Sequence, residues 1–224
     1  MSGDDSRPQD LHTPRELHPP VVELLGLVAF GEMLAFERMA RDAALAPDLR
    51  RRAMLGEMAA VEVDGYRRVA ARLAEHGVDP QDAMAPYVRQ VEEYHDATEP
   101  KDWLEALTKV YVGDRIADDF LAEVAALLDA PDGDLVRRVL HDSRYAVFAE
   151  AELRAAIAED PKVANRLSMW ARRLVGETLS HAQRVAAERA PLTALIEAEN
   201  GVQKLFQRLT TAHAARMNAL DLNN

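Results

Sequence analysis

Glu62 stands at the centre of a helical seam whose other members are apolar or small: Leu55, Met58, Gly65 and Val69. Taking a carboxylate out of water costs several kcal/mol unless a partner offsets its charge. Three answers are open for Glu62: a metal ion, an arginine, or no special partner. Three more acids interrupt apolar seams in the same way. Glu32 takes the missing step in the series Val21, Leu25, Val28, Ala35 and Met39, Asp114 follows Leu104, Leu107 and Tyr111, and Asp142 follows Leu135 and Val139. Glu32 precedes Glu62 by 30 residues and Asp114 precedes Asp142 by 28. Two helical hairpins, each with an acid midway along both arms, bring four carboxylates to one level inside a four-helix bundle. Dinuclear metal sites use this plan: carboxylates bridge and neutralise the metals, histidine nitrogen completes the shell, and an open position admits oxygen.

The elements that must carry these acids can be read from periodicity and punctuation. Residues 1–20 hold Pro8, Pro14, Pro19 and Pro20 among polar residues and read as a flexible arm. A first helix spans about Val21 to Leu45. A second starts at Pro47 and Asp48 and runs to about His76, where Gly77 can end it. Residues 78–100, broken by Pro80, Pro86 and Pro100, read as a long connector with one short helical piece between Pro86 and His95. A third helix covers about Lys101 to Leu128 and a fourth about Asp134 to Glu159. Asp160 and Pro161 open a fifth, which runs to about Arg189 and carries Glu177 and His181. A last amphipathic helix within residues 191–224 sets Val202, Phe206, Leu209, His213 and Met217 on one face, to cover the bundle or bind a second subunit. The class is all-α: a four-helix bundle over residues 21–190 with a long connector between helices 2 and 3, a fifth helix, and a C-terminal helix.

Composition narrows the function classes. With 224 residues and 48% hydrophobic content the chain can bury one substantial core. Cysteine is absent, so any metal is held by carboxylate and histidine, which suits iron, manganese or zinc. A net charge of -11 argues against broad phosphate-backbone binding and so against DNA. No uninterrupted apolar run reaches the roughly 18 residues of a membrane span. The first residues lack the basic start and apolar run of a signal peptide, so the expected setting is cytoplasmic.

The runs GEMLAFERMARDAALAP, EMAAVEVDGYRRV, DWLEALTKVYVGDRIADDF and MWARRLVGETLSHAQRVAAE resemble the actinobacterial ferritin-like proteins grouped with the methylthio-isopentenyl-adenosine tRNA hydroxylases. The resemblance covers roughly residues 20 to 190. It implies a ferritin-like bundle and, where the ligands are intact, an oxygen-dependent diiron hydroxylase acting on tRNA. By position it makes Glu32 the first-helix ligand, Glu62 and Asp142 the acids of two acid-x-x-His motifs, and Asp114 the third-helix acid. Gly65 and Tyr145 stand at the two histidine positions, so both nitrogen ligands of that pattern are missing. Four oxygen donors without them favour harder ions such as manganese, magnesium or calcium over iron, or no metal at all. Tyr145 is then an oxygen ligand or a hydrogen-bond donor to Asp142.

Plainer readings stand beside these. An inward acid is commonly paired with arginine, and Arg38, Arg67, Arg68, Arg115 and Arg144 all lie within about a turn of the candidates. Asp118 reads as a partly exposed neighbour of Asp114. Glu177 and His181 have metal-like spacing, but an ion pair between residues four apart on a helix is the commoner case. Arg50 to Arg52, Arg67 with Arg68, Arg137 with Arg138 and Arg172 with Arg173 make either a tRNA-facing patch or solvated helix faces. Two functions follow: a relative of the diiron tRNA hydroxylases with a degenerate site, or a non-enzymatic interaction protein whose last helix mediates self-assembly.

Overall fold

The computed structural model describes residues 19–140, 144–199 and 201–223. The expected arm therefore lies almost entirely outside the described residues, as does Asp142. Within them every regular element is helical. Helix α1 (Pro19–Asp42) continues through a 3-10 turn (Ala43–Leu45) towards α2 (Leu49–Glu75). Asp48 caps α2 by accepting a hydrogen bond from the Arg51 amide at 2.9 Å, and Gly77, at φ 72°, follows its end in the left-handed conformation.

The connector is more ordered than its prolines suggest. It forms α3 (Pro80–Met84), a 3-10 turn (Ala85–Tyr87) and α4 (Val88–Ala97). Pro80 and Pro86 sit in first-turn positions, where the missing amide costs nothing, so they start helices here instead of breaking them. Tyr87 anchors this segment to α1, its hydroxyl donating to the Glu23 carbonyl oxygen at 3.0 Å while Arg189 Nε donates to the Glu23 carboxylate at 2.7 Å.

The third bundle arm is α5 (Trp103–Lys109), a π-helical turn (Val110–Asp114) and α6 (Arg115–Ala125). The fourth, expected as one helix, is described as α7 (Asp132–Leu140) and α8 (Arg144–Glu159). Helix α9 (Lys162–Glu188) packs along α4, α5 and the π turn, its first turn tied by Asp160 accepting from the Lys162 amide at 3.0 Å. Helices α10 (Ala190–Glu199) and α11 (Gly201–Ala219) close the chain. The apolar face of α11 packs on α6 of the same chain, fastened by Arg216 to Asp119 at 2.7 Å and Arg208 to Glu123 at 2.7 Å.

The segment Pro19–Leu45 is long and apolar enough to cross a membrane by length and composition, with a hydropathy of 1.5. The sequence expectation missed it by requiring an uninterrupted apolar run, whereas a span tolerates a charge or two. In the fold this segment is a core arm, with Leu24, Leu25 and Ala29 fully buried.

The core falls into two apolar clusters. One holds Met39, Leu55, Ala59, Ile116 and Tyr145; the other holds Val28, Ala29, Val69, Phe120 and Val139. The boundary crosses α1 between Ala29 and Met39, α2 between Ala59 and Val69, and α6 between Ile116 and Phe120. Glu32, Glu62 and Asp118 occupy those three gaps.

Candidate functional site

A cavity of about 240 Å³ lies between the two clusters. Glu32, Glu62 and Asp114 all line it, so three of the four acids singled out by spacing meet at one level. Asp118 lines it too: one α-helical turn beyond Asp114, it faces the same space while staying partly exposed, in keeping with its sequence position. Tyr145 and His181 are also in the wall, whereas Glu177 is not. Helix α4 contributes Gln90, Val91, Tyr94 and His95, so the connector supplies one side of the chamber.

Cations of the chain sit among these acids, Arg38 and Arg115 in the cavity wall and Lys109 beside it. Arg38, in the cavity wall, is attracted by Asp114 and Asp42. Lys109 is 2% exposed, donates through Nζ to the Thr98 carbonyl oxygen at 2.8 Å, and lies 5.2 Å from the Tyr94 ring centroid. Burial and the Arg38 charge pull the Lys109 ammonium down to about 7, against the attraction of Asp114 and Asp42. Burial pushes Asp42 up to about 6 despite Arg38, and raises Asp114 despite Lys109 and Arg38. Asp118 is pushed up to about 8, first by burial and then by Asp114, with Arg115 opposing and Glu62 adding to the rise. Burial and the Arg38 and Lys109 charges hold His95 well below the usual imidazole range, so it is neutral. The chamber thus neutralises its carboxylates with a guanidinium, an ammonium and protons.

The Gly65 position is occupied in a telling way. A Cβ on Gly65 would lie 2.0 Å from Glu32 Oε2 and 3.2 Å from Val139 Cγ1. The Glu32 carboxylate therefore rests on the α2 backbone where a histidine side chain would begin. At the second histidine position, Tyr145 is 6% exposed and its hydroxyl lacks a hydrogen-bond partner; burial first, then the Asp42 and Asp114 charges, push it well above the usual tyrosine range. Among the described residues, no three Asp, Glu or His side chains are grouped closely enough to hold a metal ion.

A family model described as a ferritin-like domain of actinomycetes matches residues 16–199. The chain belongs to that family. No match is found among curated proteins. The bundle arms of this ferritin-like protein, the paired acids and the cavity all fall within the matched residues.

Several polar residues in or beside the chamber of this ferritin-like protein escaped the sequence reading. Asp42 lies near the end of α1, outside the acid spacing that flagged the others. Lys109 precedes the π turn, where Ala106 through Gly113 are buried on all sides, so no single seam marks an inward face. His95 and Tyr94 come from the connector. Of the flagged residues outside the acid set, His181 donates through Nδ1 to the Gln90 carbonyl oxygen at 3.0 Å and accepts from Arg184 at Nε2, while Glu177 stays 3.9 Å away. His213 is buried on the inner face of α11 with Leu205, Leu209 and Met217.

Proposed function

We propose that this ferritin-like protein does not house a dinuclear metal centre and that its mid-bundle chamber is a binding site for a small molecule. The observation that carries this reading is the placement of Arg38 and Lys109 beside the carboxylates. These cations already offset part of the acids' charge, so the remainder falls short of what a pair of dications needs. The lack of imidazole at Gly65 and Tyr145 and the seating of Glu32 over Gly65 point the same way. Among the described residues, which leave out Asp142, the donors do not fit the iron pair that the resemblance to tRNA hydroxylases implies, and no oxygen chemistry is derived through it.

A tRNA substrate gains little support from the surface. Arg51 pairs with Glu152 and Asp48, Arg67 with Asp64, and Arg137 with Asp134, while Arg173 donates to the Ala97 carbonyl oxygen at 2.6 Å. Guanidinium groups held by the chain's own acids are poor partners for phosphate.

The test is elemental analysis of protein expressed with added iron or manganese and then desalted. The expected result is well under one metal ion per chain. Two ions per chain, lost in Glu62→Ala, would overturn the reading and restore iron or manganese as the cofactor.

A further inference from the structure

We propose that the chamber binds a small organic amine as its ammonium ion, with the apolar part of the ligand against Val28, Phe120, Leu121 and Val139. This rests on reading the chamber as a small-molecule site and adds the chemical class of the ligand.

Size comes first. An apolar cavity of about 150 Å³ accepts benzene, and the 240 Å³ here leaves room for a ring and a short polar arm. Apolar side chains from α1, α6 and α7 form much of the wall. Polarity comes next. Gln90, His95 and Tyr145 line the cavity, and Gln90 Oε1, His95 Nδ1 and the Tyr145 hydroxyl lack hydrogen-bond partners. Gln90 and Tyr145 are each more than nine-tenths buried. Buried acceptors left without donors are costly, and an ammonium group carries donors only.

Charge then separates the candidates. Four acids, Glu32, Glu62, Asp114 and Asp118, line the cavity against two arginines, Arg38 and Arg115, so the wall suits a single positive charge and not an anion. A metal ion needs its oxygen ligands converging within about 2.0–2.6 Å of one point, a grouping that the described residues do not provide. An ammonium on a carbon frame is larger and tolerates the wider spacing. Arg38 Nε, also in the wall, lacks an acceptor, so an amine bearing an oxygen acceptor meets both signs.

Isothermal titration of the full chain with benzylamine, its neutral isostere benzyl alcohol, benzoate and Mn(II) tests the proposal, repeated on Asp118→Asn and Tyr145→Phe. The expected result is benzylamine binding at least about tenfold more tightly than benzyl alcohol, a difference of about 1.4 kcal/mol, with no benzoate binding. Asp118→Asn should remove most of that preference while leaving benzyl alcohol within about twofold. Tyr145→Phe, which preserves shape, should weaken the amine more than the alcohol. Equal binding of amine and alcohol, or equal losses in Asp118→Asn, overturns the amine assignment and leaves the small-molecule chamber standing. If neither ligand binds, the chamber reading falls with it. Tight stoichiometric Mn(II) binding overturns the metal-free reading instead.

Discussion

Glu32 and Gly65 share one volume, and each explains the other. Alanine at an exposed helical glycine normally stabilises by about 0.5–1 kcal/mol. At position 65 the new methyl would collide with Glu32 Oε2 and press on Val139, so Gly65→Ala is expected to cost about 1–3 kcal/mol, as overpacking does. In a Glu32→Ala background the same change should be close to neutral or stabilising. Urea melts of the four proteins in a double-mutant cycle check this, and additive costs would mean that the two residues do not compete. Asp118 supports a second expectation. Its folded pKa is about 8 against an ordinary 3.8, so between those values the folded state holds a proton that the unfolded state has released. Its contribution to stability therefore falls as pH rises from about 4 to about 8. Asp118→Asn cannot ionise there, so its melting temperature should gain on the parent across that window and hold the gain above it. Parallel profiles would show that the carboxylate ionises in the fold without penalty.

At the level of elements, the close approach of α1 and α3 is the most demanding contact described. A Cβ on Gly26 would lie 2.2 Å from the Ala83 carbonyl oxygen, which is backbone and cannot swing aside. Gly26→Ala should therefore cost more than Gly65→Ala, on the order of 3 kcal/mol or above, and should loosen α3 and α4 first. Thermal melts with hydrogen exchange on the connector check both the size and the place of the effect. The four arms themselves were legible because their apolar residues recur at helical spacing and their ends carry Asp48, Gly77 and Asp160. The connector was not, because a proline in a first turn starts a helix and elsewhere ends one, and sequence alone does not say which. The π turn was hidden for another reason. One extra residue per turn shifts the face that follows, and nothing in the run of Leu104, Leu107, Tyr111 and Asp114 marks where it is inserted.

Across the whole molecule, the repeated acid spacing was enough to place Glu32, Glu62 and Asp114 around one space. Arg38 was already legible as a counter-charge beside the acids, with Asp42 four residues after it on α1; what the spacing could not reveal was Lys109, which reaches them from α5 through tertiary packing. The last helix was foreseen as amphipathic with two destinations, and in the fold its apolar face lies on α6 of its own chain. One further consequence follows from α4. It belongs to the connector, not to the four arms, yet Gln90, Val91, Tyr94 and His95 wall the chamber. One wall of the chamber therefore hangs on contacts outside the four arms: Tyr87 and Arg189 meet at Glu23, and His181 holds the Gln90 carbonyl oxygen.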